Sequence, residues 1–220
     1  MPVLLIADDH PLFREALRGV AVRTFPEVAI HEADHFDDLY ELVESYPDAD
    51  LLLLDLDMPG SKGFSALVHL RALQPQLPVV IVSAHEDPIT IRRALDHGAS
   101  GFIPKSSDAQ TLGHALRQIL DGFPWAPDVP GAGHGADDDE LRIAERLRDL
   151  TPQQFRVLQM VSSGQLNKQI AYDLNVSEAT VKAHMTHILR KLGATTRTQA
   201  VLIASKLGIP DKPNGGGLPD

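Results

Sequence analysis

Residues 51–63 read LLLLDLDMPGSKG. Four leucines in succession suit a strand covered on both faces, as strands of a parallel sheet are. The run ends in Asp55, then passes through Met58-Pro59 to Gly60 and Gly63. Open α/β sheets place their ligand chemistry at the carboxyl ends of their strands. Asp55 stands at such an end.

Working outward, the first half of the chain alternates. Strand-like runs fall at 3–7, 28–33, 51–54, 79–83 and 101–103, with helical patterns at 12–24, 36–46, 64–73, 88–97 and 108–121. Asp87-Pro88 is a helix start, an N-cap followed by proline in the first turn. Five successive βα units predict a doubly wound five-stranded parallel sheet of the flavodoxin-like kind, over residues 1–122. Residues 122–138, GFPWAPDVPGAGHGADD, are rich in Pro, Gly and Asp and read as a flexible linker. Within a linker region of 123–148, Ile143, Leu147 and Leu150 share one face of a short amphipathic helix. From residue 149 to 208 the pattern is all helical. Thr151-Pro152 opens one helix, Asn167 a short one, Ser177 a long one through Leu192, and Thr196 a last one through Leu207. Residues 209–220 should be a disordered tail.

Composition narrows the function. The 220 residues include no cysteine, which excludes disulfides, thiolate zinc sites and cysteine nucleophiles. The N-terminus lacks the basic region and apolar length of a signal peptide. No apolar stretch approaches the roughly 20 residues that span a bilayer, so no membrane association is expected and the cytoplasm is the expected compartment. The net charge of −10 is segregated. Residues 1–125 carry 19 acidic and 9 basic side chains, residues 126–149 carry 7 and 3, and residues 150–220 carry 4 and 8. An acidic front and a basic back suggest two domains with different partners. They also suggest that the acidic domain docks on the basic one and covers part of its surface.

Asp8 and Asp9 end the first strand, and Asp55 ends the third. With strand order 2-1-3-4-5 those strands are neighbours, and three carboxylates converge on one pocket. Their repulsion calls for a cation, and an all-oxygen site that keeps waters suits Mg²⁺. Ser83 ends the fourth strand with a hydroxyl, and Lys105 follows the fifth with an ammonium. An aspartate nucleophile, a divalent metal, a hydroxyl and a lysine make a site for phosphoryl transfer onto a carboxylate. Taken singly, each is a common helix cap, loop residue or surface lysine. Their recurrence at successive strand ends is what carries the reading.

Asp8-Asp9, Asp55 with Met58-Pro59 and Gly63, Ser83-Ala84, and Phe102 with Lys105 closely resemble the receiver domain of two-component response regulators. ADDHPLFREAL resembles the NarL/FixJ subfamily. The resemblance implies that Asp55 accepts a phosphoryl group from a sensor histidine kinase. It implies that Asp9 and Asp55 bind Mg²⁺ directly with the backbone carbonyl of Asp57, and Asp8 through water. Ser83 and Phe102 would form the switch pair, Ser83 moving toward the phosphoryl group and Phe102 turning inward. Ser83 replaces a common threonine and keeps the hydroxyl. Asp-x-Asp after an apolar strand also resembles the nucleophile motif of haloacid-dehalogenase-type phosphatases. Those carry it on the first strand, whereas here it follows the third.

The helix, tight turn and longer helix over 166–192 have helix-turn-helix spacing. In the longer helix Val181, Met185, Ile188, Leu189 and Leu192 should be core, while Lys182, Ala183, Thr186 and Arg190 face elsewhere. Leu150-Thr151-Pro152, Asn167-Lys168, Ile170-Ala171, Ser177-Glu178, Thr180-Val181-Lys182, His184 and Lys191-Leu192 closely resemble the LuxR-type helix-turn-helix domain. That resemblance implies double-stranded DNA as partner, with Lys182, Ala183 and Thr186 near base edges or phosphates and Lys168 and Thr180 on the backbone. Gln154 stands where the family usually has glutamate, which bears on one structural salt bridge. His184 and His187 have metal-compatible spacing but no further ligand nearby. The expected molecule is a phosphorylation-switched transcription regulator in a phosphorelay, not an enzyme, with a homodimer forming on phosphorylation or DNA binding. Ala200, Val201, Ala204 and Leu207 are the candidate dimer seam. The alternative is a constitutive DNA-binding regulator whose receiver no longer signals.

Overall fold

The computed structural model describes residues 1–59, 63–128 and 138–207. Strands β1 (Val3–Ala7), β2 (Ala29–Ala33), β3 (Leu51–Asp55), β4 (Val79–Ser83) and β5 (Gly101–Pro104) form one sheet of order β2-β1-β3-β4-β5. Every pairing is parallel. Helices α1 (Pro11–Thr24), α2 (Phe36–Ser45), α3 (Ser65–Leu73), α4 (Pro88–Asp96) and α5 (Ala109–Leu120) fill the crossovers. The leucine run is buried throughout because alternate residues serve opposite faces. Leu51 and Leu53 meet α1 and α5 through Leu17, Leu112 and Leu116. Leu52 and Leu54 join the other core, with Leu39, Leu67 and Ile91 of α2, α3 and α4. Ala7 lies opposite Leu54, Asp55 opposite Val82 and Ser83 opposite Pro104. Asp8, Asp55, Ser83 and Lys105 therefore reach one edge of the sheet.

The segment after α5 departs from the expectation of a free linker. Trp125 bridges to Gly101, and the Phe102 amide donates to the Trp125 carbonyl at 2.9 Å. A Cβ on Gly101 would lie 2.6 Å from that carbonyl oxygen, so only glycine admits the segment this closely. Part of the predicted linker, residues 129–137, and the predicted tail, 209–220, lie outside the described residues.

The second domain holds α6 (Asp138–Arg148), α7 (Pro152–Ser162), α8 (Asn167–Asp173), α9 (Glu178–Leu192) and α10 (Arg197–Ser205). Thr151 and Gln154 cap α7 reciprocally, each side chain taking the other's backbone N–H. The α8–α9 turn is tight because Asn175 adopts φ 51°, a left-handed conformation asparagine tolerates. Gly193 closes α9 at φ 66°. The lost glutamate at position 154 is replaced in function: Lys191 donates to Gln154 Oε1 at 2.8 Å and to the Asp149 carbonyl at 2.7 Å. Three of the four residues of the candidate dimer seam are corrected: Ala200, Ala204 and Leu207 are fully buried in this chain's own core, because α10 packs on α7 and α9. Val201 is half-buried, and α10 exposes Thr198, Gln199 and Leu202.

The two domains dock, though not as the charge split predicted. The core on the α2–α3 side of the sheet runs without a break into Ala144, Leu147, Leu150 and Phe155. Phe155 stacks on the His69 ring at 4.0 Å and meets Phe36 and Tyr40 edge-on or tilted. The His69 Nε2–H donates to the Leu150 carbonyl at 3.2 Å, which leaves Nδ1 to accept from the Tyr40 hydroxyl at 2.8 Å. Burial holds His69 down to a pKa of about 4, outweighing its bond to the Leu150 carbonyl. Beside it, Arg93 Nε donates to both carboxylate oxygens of Glu140 at 3.0 and 3.1 Å, and His97 Nε2 donates to Oε1 at 2.8 Å. Arg156 reaches the Asp37 carbonyl at 3.1 Å, and the Ser65 amide donates to the Leu207 carbonyl. Apolar burial makes most of the seam, with one acid–base cluster whose signs are the reverse of the charge split, receiver cations on a carboxylate of the second domain. The outward side chains of α9 are not covered: Lys182, Ala183, Thr186, His187 and Arg190 are exposed.

Candidate functional site

The strand ends bring together the pocket that the sequence implies. Asp8 follows β1 and is held by its own turn, its Oδ1 accepting from the His10 amide at 2.8 Å. Asp55 ends β3, buried, with Oδ1 accepting from the Asp57 amide at 3.2 Å. Lys105 extends from beyond β5, and its Nζ lies 2.8 Å from Asp8 Oδ2 and 2.9 Å from Asp55 Oδ2. The ammonium also sits 4.9 Å from the centre of the Phe13 ring. Ser83 is fully buried at the end of β4, and its Oγ accepts from the His85 amide at 3.0 Å.

The electrostatics follow from burial. Desolvation raises the Asp8 pKa, against the lowering influence of Lys105 and the His10 amide. For Lys105 burial acts downward, but the hydrogen bonds to Asp55 and Asp8 outweigh it and its pKa is raised. Lys105 is therefore a fixed positive charge between two carboxylates. Asp8, Asp9, His10 and Asp55 each bring one ligand atom, and these atoms lie within 4.8 Å of one another. A predominantly carboxylate set of that size fits a hard divalent cation.

Two residues at this edge were missed in the sequence. His10 Nδ1 lies 2.7 Å from Asp9 Oδ1 and 3.9 Å from Asp55 Oδ2, at the mouth of the pocket. His85 Nε2 lies 3.1 Å from Asp57 Oδ2. The signal for His10 was its adjacency to Asp8-Asp9. His85 carried the weaker one of lying two residues past Ser83. The Asp57 side chain turns away to His85, and it is the Asp57 backbone that meets Asp55. Phe102 also differs from expectation. Its ring is fully buried on the α4 side of the sheet, so it is already inward.

The DNA-facing candidates are brought to one domain but not all to one surface. Lys182, Ala183 and Thr186 share the exposed face of α9, where the Thr186 hydroxyl donates to the Lys182 carbonyl at 3.1 Å. Thr180 is half-buried in the first turn of α9, bonded to the capping Ser177 through backbone and side chain. Lys168 is exposed in the first turn of α8. His187 pairs with Arg190 at 2.9 Å, and neither it nor His184 joins a metal-compatible group among the described residues. Among those residues, no helix is long and apolar enough to cross a membrane.

Comparison with known proteins agrees with both halves. Residues 4–117 match the response regulator receiver domain, and residues 148–204 match the bacterial regulatory proteins of the luxR family. The chain is 43% identical over 210 residues to the glycerol metabolism activator of Pseudomonas putida, covering 93% of this chain and 95% of that one. It is 32% identical over 203 residues to the nitrate/nitrite response regulator protein NarL of Escherichia coli K12, covering 90% and 93%. The solved structure of RcsB from Salmonella enterica serovar Typhimurium, bound to promoter P1flhDC with the phosphomimetic BeF3⁻, shares the fold at a TM-score of 0.52. It is 23% identical and covers 93% of this chain and 98% of its own. These relatives are regulators of transcription rather than enzymes. A receiver at the front and a LuxR-type helix-turn-helix at the back, in one continuous match, place this chain in the family of NarL-type two-component response regulators.

Proposed function

We propose that a cognate sensor histidine kinase phosphorylates Asp55, and that this controls binding of the second domain to double-stranded DNA in the cytoplasm. The observation that carries the reading is the pocket, where Lys105 lies within 2.9 Å of both Asp8 and Asp55. In the transfer, a bond forms between an Asp55 carboxylate oxygen and phosphorus as the phosphorus–nitrogen bond to the kinase imidazole breaks. Asp9 and Asp55, with the Asp57 backbone carbonyl, would hold Mg²⁺ directly, and Asp8 would do so through water. The ion, when bound, neutralises charge on the phosphoryl oxygens. Lys105 offsets the remaining charge from the opposite side. Ser83 gives up its bond with the His85 amide to donate its hydroxyl to a phosphoryl oxygen. Phosphorylation adds about −1.5 to −2 charges at this edge, which biases the arrangement of Ser83 and Phe102.

In the second domain Lys182, Ala183 and Thr186 approach bases or phosphates in the major groove, while Lys168 and Thr180 hold the DNA backbone. Two copies reading paired half-sites account for a homodimer on phosphorylation or DNA binding. The exposed Leu202 of α10 is the apolar residue available to that contact. Incubation of the purified chain with acetyl phosphate and Mg²⁺, followed by mapping of the aspartyl phosphate, tests the assignment. Phosphate on Asp55 supports it. No phosphate at all would favour the constitutive, non-signalling alternative. Phosphate confined to Asp57 would overturn the assignment of the acceptor.

A further inference from the structure

Docking a DNA-binding domain on a receiver raises a question of faces. The receiver holds α6, α7 and the end of α10, through Glu140, Leu150, Phe155, Arg156 and Leu207. The candidate DNA contacts lie on α8 and α9 and are exposed or half-exposed in this docked state. The inner side of α9 is taken up by its own domain, where Val181, Ile188 and Leu192 are fully buried. The hydrogen bonds of Lys191, at the end of α9, likewise go to Asp149 and Gln154 of its own domain. The docking face and the DNA face are thus different faces of one small domain.

We propose that the docked arrangement is itself competent to bind DNA. In it the receiver orients the recognition helix and does not cover it. The inference rests on the reading of α9 as the DNA-contacting helix. The seam is built to hold one pose. Phe155 is fully buried between His69, Phe36 and Tyr40. Glu140 is clamped by Arg93 and His97, and the Leu150 carbonyl and the Tyr40 hydroxyl are satisfied through His69, while His97 Nδ1 and Arg156 Nε are buried without a hydrogen-bond partner. The aromatic cluster and the clamped carboxylate fix where the recognition helix points. Control by phosphorylation would then act on how two such rigid copies are brought together, not on uncovering α9.

The absence of cysteine makes the pose easy to lock. Arg156 touches the Asp37 backbone, so Asp37→Cys with Arg156→Cys can be joined by a short bifunctional thiol reagent. A labelled duplex carrying one half-site, selected from random sequence with the unlinked chain, is the binding probe. Unphosphorylated linked and unlinked proteins should bind it within threefold of each other. A loss of more than threefold on linking would overturn the proposal while leaving the DNA-binding reading intact. Failure of both forms to bind any selected duplex would overturn both. As a second variant, Arg93→Ala with Glu140→Ala removes the ion pair from both sides, and buried His97 loses its partner with it. Its half-site affinity should also stay within threefold. A larger gain in affinity would show that the receiver had been covering the DNA face, and would overturn the proposal by the opposite route.

Discussion

The pocket at the strand ends and the seam between the domains both bury carboxylates, and they balance the charge in opposite ways. In the pocket Asp8, Asp9 and Asp55 converge, and Lys105 is the cation that reaches two of them. In the seam one carboxylate, Glu140, meets both Arg93 and His97. Burial acts to raise the Glu140 pKa, yet the hydrogen bonds from His97 and Arg93 win and hold it below the ordinary value. Burial wins instead at Asp8, whose pKa is raised. The lesson is one of unspent charge. A buried site with surplus negative charge is poised for a cation and a reacting group. A buried site whose charges are matched is a joint.

The sharpest way to break this comparison is at Asp55. Asp55→Asn keeps the shape of the side chain and removes the nucleophile. Phosphorylation by acetyl phosphate with Mg²⁺ should fall at least a hundredfold, read on a phosphate-affinity gel, with an unchanged circular-dichroism spectrum. The amide also withdraws one negative charge from the crowded pocket, so the metal-free variant should be no less stable than the parent.

A second prediction lies on the seam. His69 is neutral in the folded protein with a pKa of about 4, against 6.5 when unfolded. The unfolded chain therefore binds the additional proton between these values. The stability this histidine contributes is fully present above pH 6.5 and is lost as pH falls toward 4. The loss is about 3 kcal/mol at 1.36 kcal/mol per pKa unit. Unfolding free energies of the parent and of His69→Gln, from urea titrations across pH 7 to 4, should diverge by that amount. Parallel curves would mean that His69 is not held neutral in the joint.

A third, somewhat smaller effect concerns the clamp. Glu140→Ala leaves His97 without its partner, while Arg93, whose side chain is 29% exposed, can turn to water. The charge-assisted hydrogen bonds lost put the cost at about 2 kcal/mol. A double-mutant cycle with Arg93→Ala should show the two changes to be strongly non-additive. Additive costs would show that the pair does not interact.

The sequence made the pocket legible and the joint nearly invisible, for a physical reason. Asp8, Asp55, Ser83 and Lys105 each follow an apolar run, and parallel pairing leaves little choice about where strand ends go. Glu140, Arg93 and His97 each lie beside other charged residues in the sequence and look like solvated charges until the domains meet. One clue to the seam was present. Residues 65–70, SALVHL, are all buried, more than one helical stripe can bury against a sheet, so α3 needs a second partner. The apolar face of α10 was legible as well, but periodicity cannot say whether Ala200 and Ala204 meet this chain or another copy. The charge split failed as a guide to docking because exposed charges contribute little compared with a buried aromatic cluster.

The smallest expected effect is on the exposed side of the molecule, and it completes the comparison. Lys182 has neither the surplus charge around it that marks the pocket nor the matched partner that marks the joint. It stands exposed on α9 and is in no ion pair among the described residues, so its charge is free for DNA in the proposed reading. Lys182→Ala should leave urea stability unchanged, since no buried group loses a contact, and should weaken DNA binding by a few-fold. If Lys182 meets a phosphate, the slope of log affinity against log salt should fall by about 0.9, the counterion release of one contact. If it meets a base edge, the salt slope should hold and discrimination at one base pair should relax instead. Binding isotherms on a selected duplex at several salt concentrations separate the two. Unaltered affinity at every salt concentration would remove Lys182 from the DNA surface and leave α9 to be read through Ala183 and Thr186.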